Sequence, residues 1–137
     1  MADLTVTAAN VLLVSGTARN GTAGETITAG QSIYLKSADS ELYRADCDNT
    51  AATSSAVGIA LNGASNGQPL SYAGNGCVVN MGATVTIGGR YFVSGTEGGV
   101  APSTDLATDD YVVQLGIGIT AANLKVQIIN SGVQVPA

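Results

Sequence analysis

The chain has 137 residues, no His, no Trp, and five Lys and Arg against ten Asp and Glu, for a net charge of -5. That is the length of one domain, able to bury roughly 68–70% of its unfolded surface. The lack of His excludes Ser/His/Asp and Cys/His catalysis, and five scattered cations cannot neutralise a run of phosphates, so neither an enzyme of that kind nor a nucleic-acid partner is expected. The first residues, MADLTVTAANVLLVSG, offer no basic n-region and no long apolar stretch, so no secretory signal and no membrane span are expected.

Short runs rich in β-branched residues follow one another along the chain. Strands are predicted at residues 5–7, 11–14, 26–28, 33–36, 57–61, 70–72, 77–80, 84–87, 91–94, 111–119 and 124–129. Residues 84–87 (TVTI) and 124–128 (LKVQI) alternate strictly, which places Leu124, Val126 and Ile128 on one face. Asn-Gly pairs at 20–21, 62–63, 66–67 and 75–76 predict type I′ hairpin turns, because both corners of that turn need positive φ. The best helix signal is residues 103–108 (STDLAT), with a cap at Ser103, and a single turn is the most it supports. The fold class is all-β, a compact sandwich or barrel with an aliphatic core, since the aromatic residues are five Tyr and one Phe.

A twelve-residue phrase occurs twice, at residues 24–35 (GETITAGQSIYL) and 82–93 (GATVTIGGRYFV). Gly24/Gly82, Thr26/Thr84, Thr28/Thr86 and Gly30/Gly88 are identical, and Tyr34 and Leu35 face Phe92 and Val93. The same offset of 58 brings residues 57–61 (VGIAL) onto 115–119 (LGIGI). An internal duplication is expected, with units at 24–76 and 82–134 in a single domain spanning 23–137. Each copy reads as a strand, a turn at Gly30 or Gly88, and a second strand. Residues 36–56 and 94–114 form equivalent outward loops carrying Asp46 and Asp48 in one, and Asp105, Asp109 and Asp110 in the other. Residues 1–22 have no clear counterpart and read as an N-terminal arm. Its apolar run, Val11, Leu12, Leu13 and Val14, is the candidate contact with a partner or a neighbouring subunit; the alternative is that it closes the domain's own sheet.

Little else in the sequence suggests chemistry. DCDNT at 46–50 begins like a calcium loop but lacks the Gly and the distal Glu of an EF-hand, so a solvated acidic loop is expected. LGIGITA at 115–121 has the outline of a dinucleotide phosphate turn, but it runs straight into a strand, so its glycines are read as points of close backbone approach. Cys47 and Cys77 have no zinc-type spacing and are expected to stay free thiols in a reducing cytoplasm. No cofactor, metal or catalytic residue is assigned.

The phrases at 23–35 (AGETITAGQSIYL), 57–70 (VGIALNGASNGQPL), 89–95 (GRYFVSG), 99–102 (GVAP) and 115–118 (LGIG), leading to 124–126 (LKV), resemble in wording, order and spacing the small capsid decoration, or cement, proteins of tailed bacteriophages. The resemblance implies a β-domain made in the host cytoplasm. It would bind the exterior of the assembled virion, commonly as a homotrimer, and clamp the major capsid protein after shell expansion. The family carries no catalytic motif. Phage tail or receptor-binding modules use similar sequence materials and stand as the alternative, with a sugar-binding β-domain third.

Overall fold

Short runs of apolar and β-branched residues produce strands, and eleven of them form the framework of the computed structural model, which describes residues 3–136. In chain order they are β1 (Leu12–Ser15), β2 (Arg19–Thr22), β3 (Ser32–Lys36), β4 (Glu41–Arg44), β5 (Ala56–Ala60), β6 (Pro69–Ala73), β7 (Val78–Asn80), β8 (Arg90–Val93), β9 (Val100–Pro102), β10 (Tyr111–Gly118) and β11 (Asn123–Gln134). One α-helical turn, α1 (Ala51–Ser54), lies between β4 and β5, and 3-10 turns occupy Ala8–Asn10 and Ser103–Asp105.

The strands form two antiparallel sheets packed as an all-β sandwich. The five-stranded sheet has the order β2-β6-β5-β3-β4 and the six-stranded sheet β1-β7-β11-β10-β8-β9. Without β1 the two orders are the same, each strand of the first sheet matching the strand five later. Pairing repeats residue by residue. Ser32, Ile33 and Tyr34 of β3 oppose Ile59, Gly58 and Ala56 of β5, while Arg90, Tyr91 and Phe92 of β8 oppose Ile117, Gly116 and Gln114 of β10. All six partners are related by the offset of 58, and so is the bulge that skips one residue. Leu35 opposite Leu42 and Val93 opposite Val100 continue the match.

The repeated Gly of VGI and LGI has one physical cause. A Cβ on Gly58 would strike the Ala73 carbonyl oxygen, and a Cβ on Gly116 would strike that of Lys125, so the neighbouring strand closes in at the bulge only where there is no side chain. Gly116 and Gly118 both lie within β10, and no helix follows them.

One core cluster draws on both sheets: Ala45, Cys47, Ile59 and Ala73 meet Val79, Met81, Val93, Leu115, Leu124 and Val126. A smaller cluster belongs to the five-stranded sheet alone and contains Ala23, Ile27, Ile33, Leu42, Ala60, Ala64 and Leu70. That sheet curls on itself, because Ala23, just past β2, bridges Leu42 of β4.

Several expectations change. Residues 5–7, 26–28 and 84–87 form no strand ladder: Ile27 makes one isolated bridge to Ala64, and Val85 donates its amide to the Ala121 carbonyl at 2.8 Å. Residues 26–28 and 84–87 approach the turns at Gly30 (φ 90°) and Gly88 (φ 77°) as corners that bond to the loops following β5 and β10, whereas Thr7 bonds to Gly82 after β7. None of the four Asn-Gly pairs is a type I′ turn. Gly67 and Gly76 take positive φ while Asn66 and Asn75 do not, and Asn20-Gly21 lies inside β2 opposite Ser71 and Leu70. The helix signal at 103–108 becomes a three-residue 3-10 turn with Pro102 at its N-cap, because Leu106 returns to extended backbone.

Candidate interaction surface

Of the expected arm, residues 19–22 form β2, the opposite number of β7 across the repeat, and residues 1 and 2 lie outside the described residues. Residues 3–18 stand outside the repeated strands and run along the second unit. The Asp3 carboxylate accepts from Ser94 Oγ at 2.7 Å, the Leu4 amide donates to the Val100 carbonyl at 2.8 Å, and the Thr7 amide donates to the Gly82 carbonyl at 2.9 Å. In the first unit the residue equivalent to Val100 is Leu42, whose carbonyl accepts from Gly24 at 2.8 Å. The N-terminal segment therefore supplies to the second unit a bond that the first unit makes with its own chain.

β1 then pairs with β7 and forms the edge of the six-stranded sheet. The four candidate residues divide by alternation: Val11 and Leu13 pack against the core, while Leu12 and Val14 point outward, 64% and 51% exposed. The inward pair fixes the strand, and the outward pair is presented on a rigid support. From residue 4 to residue 18 the chain carries no charge. The edge has no Lys, Glu or Pro to blunt it, and its one irregularity is the bulge between Leu13 and Ser15, so its Val11–Leu13 stretch is a template for pairing with another chain. Burial of Leu12 and Val14 would be worth about 1.5–3 kcal/mol each.

The acidic loops meet at the junction of the units. The Cys47 amide donates to the Ser94 carbonyl at 3.0 Å, and the Cys47 carbonyl accepts from Tyr111 at 2.8 Å. Burial and the nearby Asp110 push the Cys47 thiol up to about 12, so it stays protonated and inert; Cys47 and Cys77 are both buried free thiols. Burial, then the adjacent Asp48, raises the Asp46 carboxyl to about 6. Among the described residues no group of three or more His, Cys, Asp and Glu is placed to hold a metal ion.

A second surface, half-buried and not anticipated from the sequence, lies on β3 and β4. Tyr34 and Tyr43 are directly opposed across the strands with ring centroids 6.0 Å apart, and Lys36 Nζ sits 4.9 Å from the Tyr43 centroid. Tyr43 donates its hydroxyl to the Asp39 carboxylate, and that bond raises the phenol to about 12. Arg44 bridges Glu25 at 3.2 Å and Glu97 at 3.1 Å. The adjacent Leu42 and Tyr43 of ELYR (41–44) were the available signal, but two apolar residues between charges are too few to separate a strand from a polar loop. No family model and no curated protein matches this chain.

Proposed function

We propose that this chain is a structural virion protein that binds the outer surface of a phage capsid and stabilises the expanded shell, acting as a trimer. The observation that carries the reading is the uncharged edge strand β1, which holds Leu12 and Val14 outward in the segment that lies outside the repeat. The resemblance of the ordered phrases to capsid decoration proteins supports it from the sequence side, as does a sparsely charged surface.

On this reading β1 adds its free edge and its two outward side chains to a groove of the major capsid protein. Each contact is small. Three linked subunits engaging three sites gain effective concentration, so a weak single contact becomes durable decoration. The net charge of -5 steers encounter with a basic partner surface more than it sets affinity.

The test is co-sedimentation with expanded shells of the phage that encodes the chain, beside a binding assay on host cells. The wild type saturates shells, and the Leu12→Asp, Val14→Asp double variant, which leaves the inward residues untouched, loses binding by more than about tenfold. Equal binding by the variant would sink the β1 contact. Failure on shells combined with binding to cells would favour a tail or receptor-binding module. Light scattering should give three times the 13.6 kDa chain mass, and a monomer at micromolar concentration would remove the avidity argument.

A further inference from the structure

We propose that the face formed by β3, β4 and the loop before α1 is a binding site for a neutral saccharide. Tyr34 borders two adjoining hollows, one of about 160 Å³ that also touches Tyr43, Asp46 and Asn49, and one of about 480 Å³ between β3 and α1. The larger falls within the volume range of small-molecule sites. Opposed residues on the matching strands of the second unit are Phe92 and Ala101, and both are buried. The first unit thus keeps half-buried, as two tyrosines that border the hollows, a pair of positions that the second unit buries.

Three features fit a sugar. Lys36 covers one face of Tyr43, so the tyrosines offer the hollows ring edges and hydroxyl-bearing ends, whose amphipathic character suits partly wet contacts with a pyranose. The side chains of Asp46 and Asn49 line the same hollow as Tyr43 and supply the acceptor and donor atoms that vicinal hydroxyls need. The charge balance selects a neutral ligand. Glu25, Asp46 and Glu97 line the smaller hollow, where the polar groups are, against Arg44 alone, and Arg44 is already committed to two carboxylates. A phosphate or a sialic acid would meet net repulsion.

The direct experiment is saturation-transfer NMR on the intact protein with methyl glycosides of glucose, mannose, galactose and N-acetylglucosamine, alongside sialic acid and glucose 6-phosphate. At least one neutral glycoside should bind with Kd of about 1–10 mM, as one shallow site allows. Tyr43→Ala and Asn49→Ala should each weaken it about tenfold with an unchanged melting temperature, and Tyr34→Phe, which keeps the ring, should bind like the wild type. The proposal fails if no neutral glycoside binds at 50-fold excess over protein, if the anionic sugars bind as well as the neutral ones, or if both alanine variants bind unaltered.

Discussion

Leu35 and Val93 occupy the same position in the two units, opposite Leu42 and Val100, yet Leu35 is 52% exposed and Val93 is fully buried. The strand geometry is shared; the surroundings are not. In the second unit the first unit's loop closes over β8, with the Cys47 amide on the Ser94 carbonyl and Ala45 and Cys47 in the cluster that holds Val93. In the first unit the carbonyl equivalent to that of Ser94 belongs to Lys36, and it accepts instead from Ser40 in the tight turn that follows. A repeat can therefore conserve register and bulges while assigning opposite fates to matched side chains. The faces left over are the ones available for partners.

The largest expected effect lies where the units agree. Gly116→Ala and Gly58→Ala should each cost about 3 kcal/mol in urea or thermal unfolding, because the new Cβ meets a backbone carbonyl that cannot swing aside. Gly76, a turn residue with open space around its Cβ position, should lose less and only through its positive φ. Similar losses at Gly76 and Gly116 would show that close approach is not what the strand glycines provide.

Burial should separate the units at the next level. Val93→Ala should cost about 2 kcal/mol through lost contacts and a cavity, while Leu35→Ala should stay within about 0.5 kcal/mol. Native-state thiol labelling reports on the same junction: Cys47 should resist an aromatic disulfide reagent until the protein unfolds, and rapid native labelling would mean that the loop over β8 opens readily.

The smallest effect is electrostatic. Asp46 holds its proton more tightly folded than unfolded, with a folded value of about 6 above the usual carboxylate range. Ionising it therefore weakens the fold as pH rises from about 4 through 6, and the penalty is constant above that. Asp46→Asn should be more stable than the wild type at pH 7, by less than about 1 kcal/mol after solvent screening, and equal to it near pH 4. Identical melting curves at both pH values would contradict the assignment.

The repeat was legible in the sequence because its markers are steric: Gly30, Gly88, Gly58 and Gly116 sit where only glycine fits or where φ is positive. Strands β3, β5, β8, β10 and β11 were legible as runs rich in β-branched, aliphatic and aromatic residues, the composition that suits a pleated, half-buried surface. β2, β4, β9 and α1 were not. RNGT reads as a turn because Asn-Gly favours one, and it becomes a strand only through its pairing with β6. α1 is a four-residue turn capped by Thr50 and Thr53 in place of the usual acidic partner. At the candidate surface the sequence singled out Val11, Leu12, Leu13 and Val14 as a group, but the division into inward and outward pairs depends on where β7 lies. The half-buried tyrosine pair was hidden because β4, which carries Tyr43, is short and the matching pair of the second unit is core.

On the proposed function β1 faces the shell and the Tyr34–Tyr43 surface stays toward solvent. Cryo-electron microscopy of decorated, expanded capsids tests this most directly. The predicted result is density for three copies around each site, with Leu12 and Val14 against the major capsid protein and the tyrosine face open. Shells that bind no copies, or copies seated with β1 facing solvent, would contradict it.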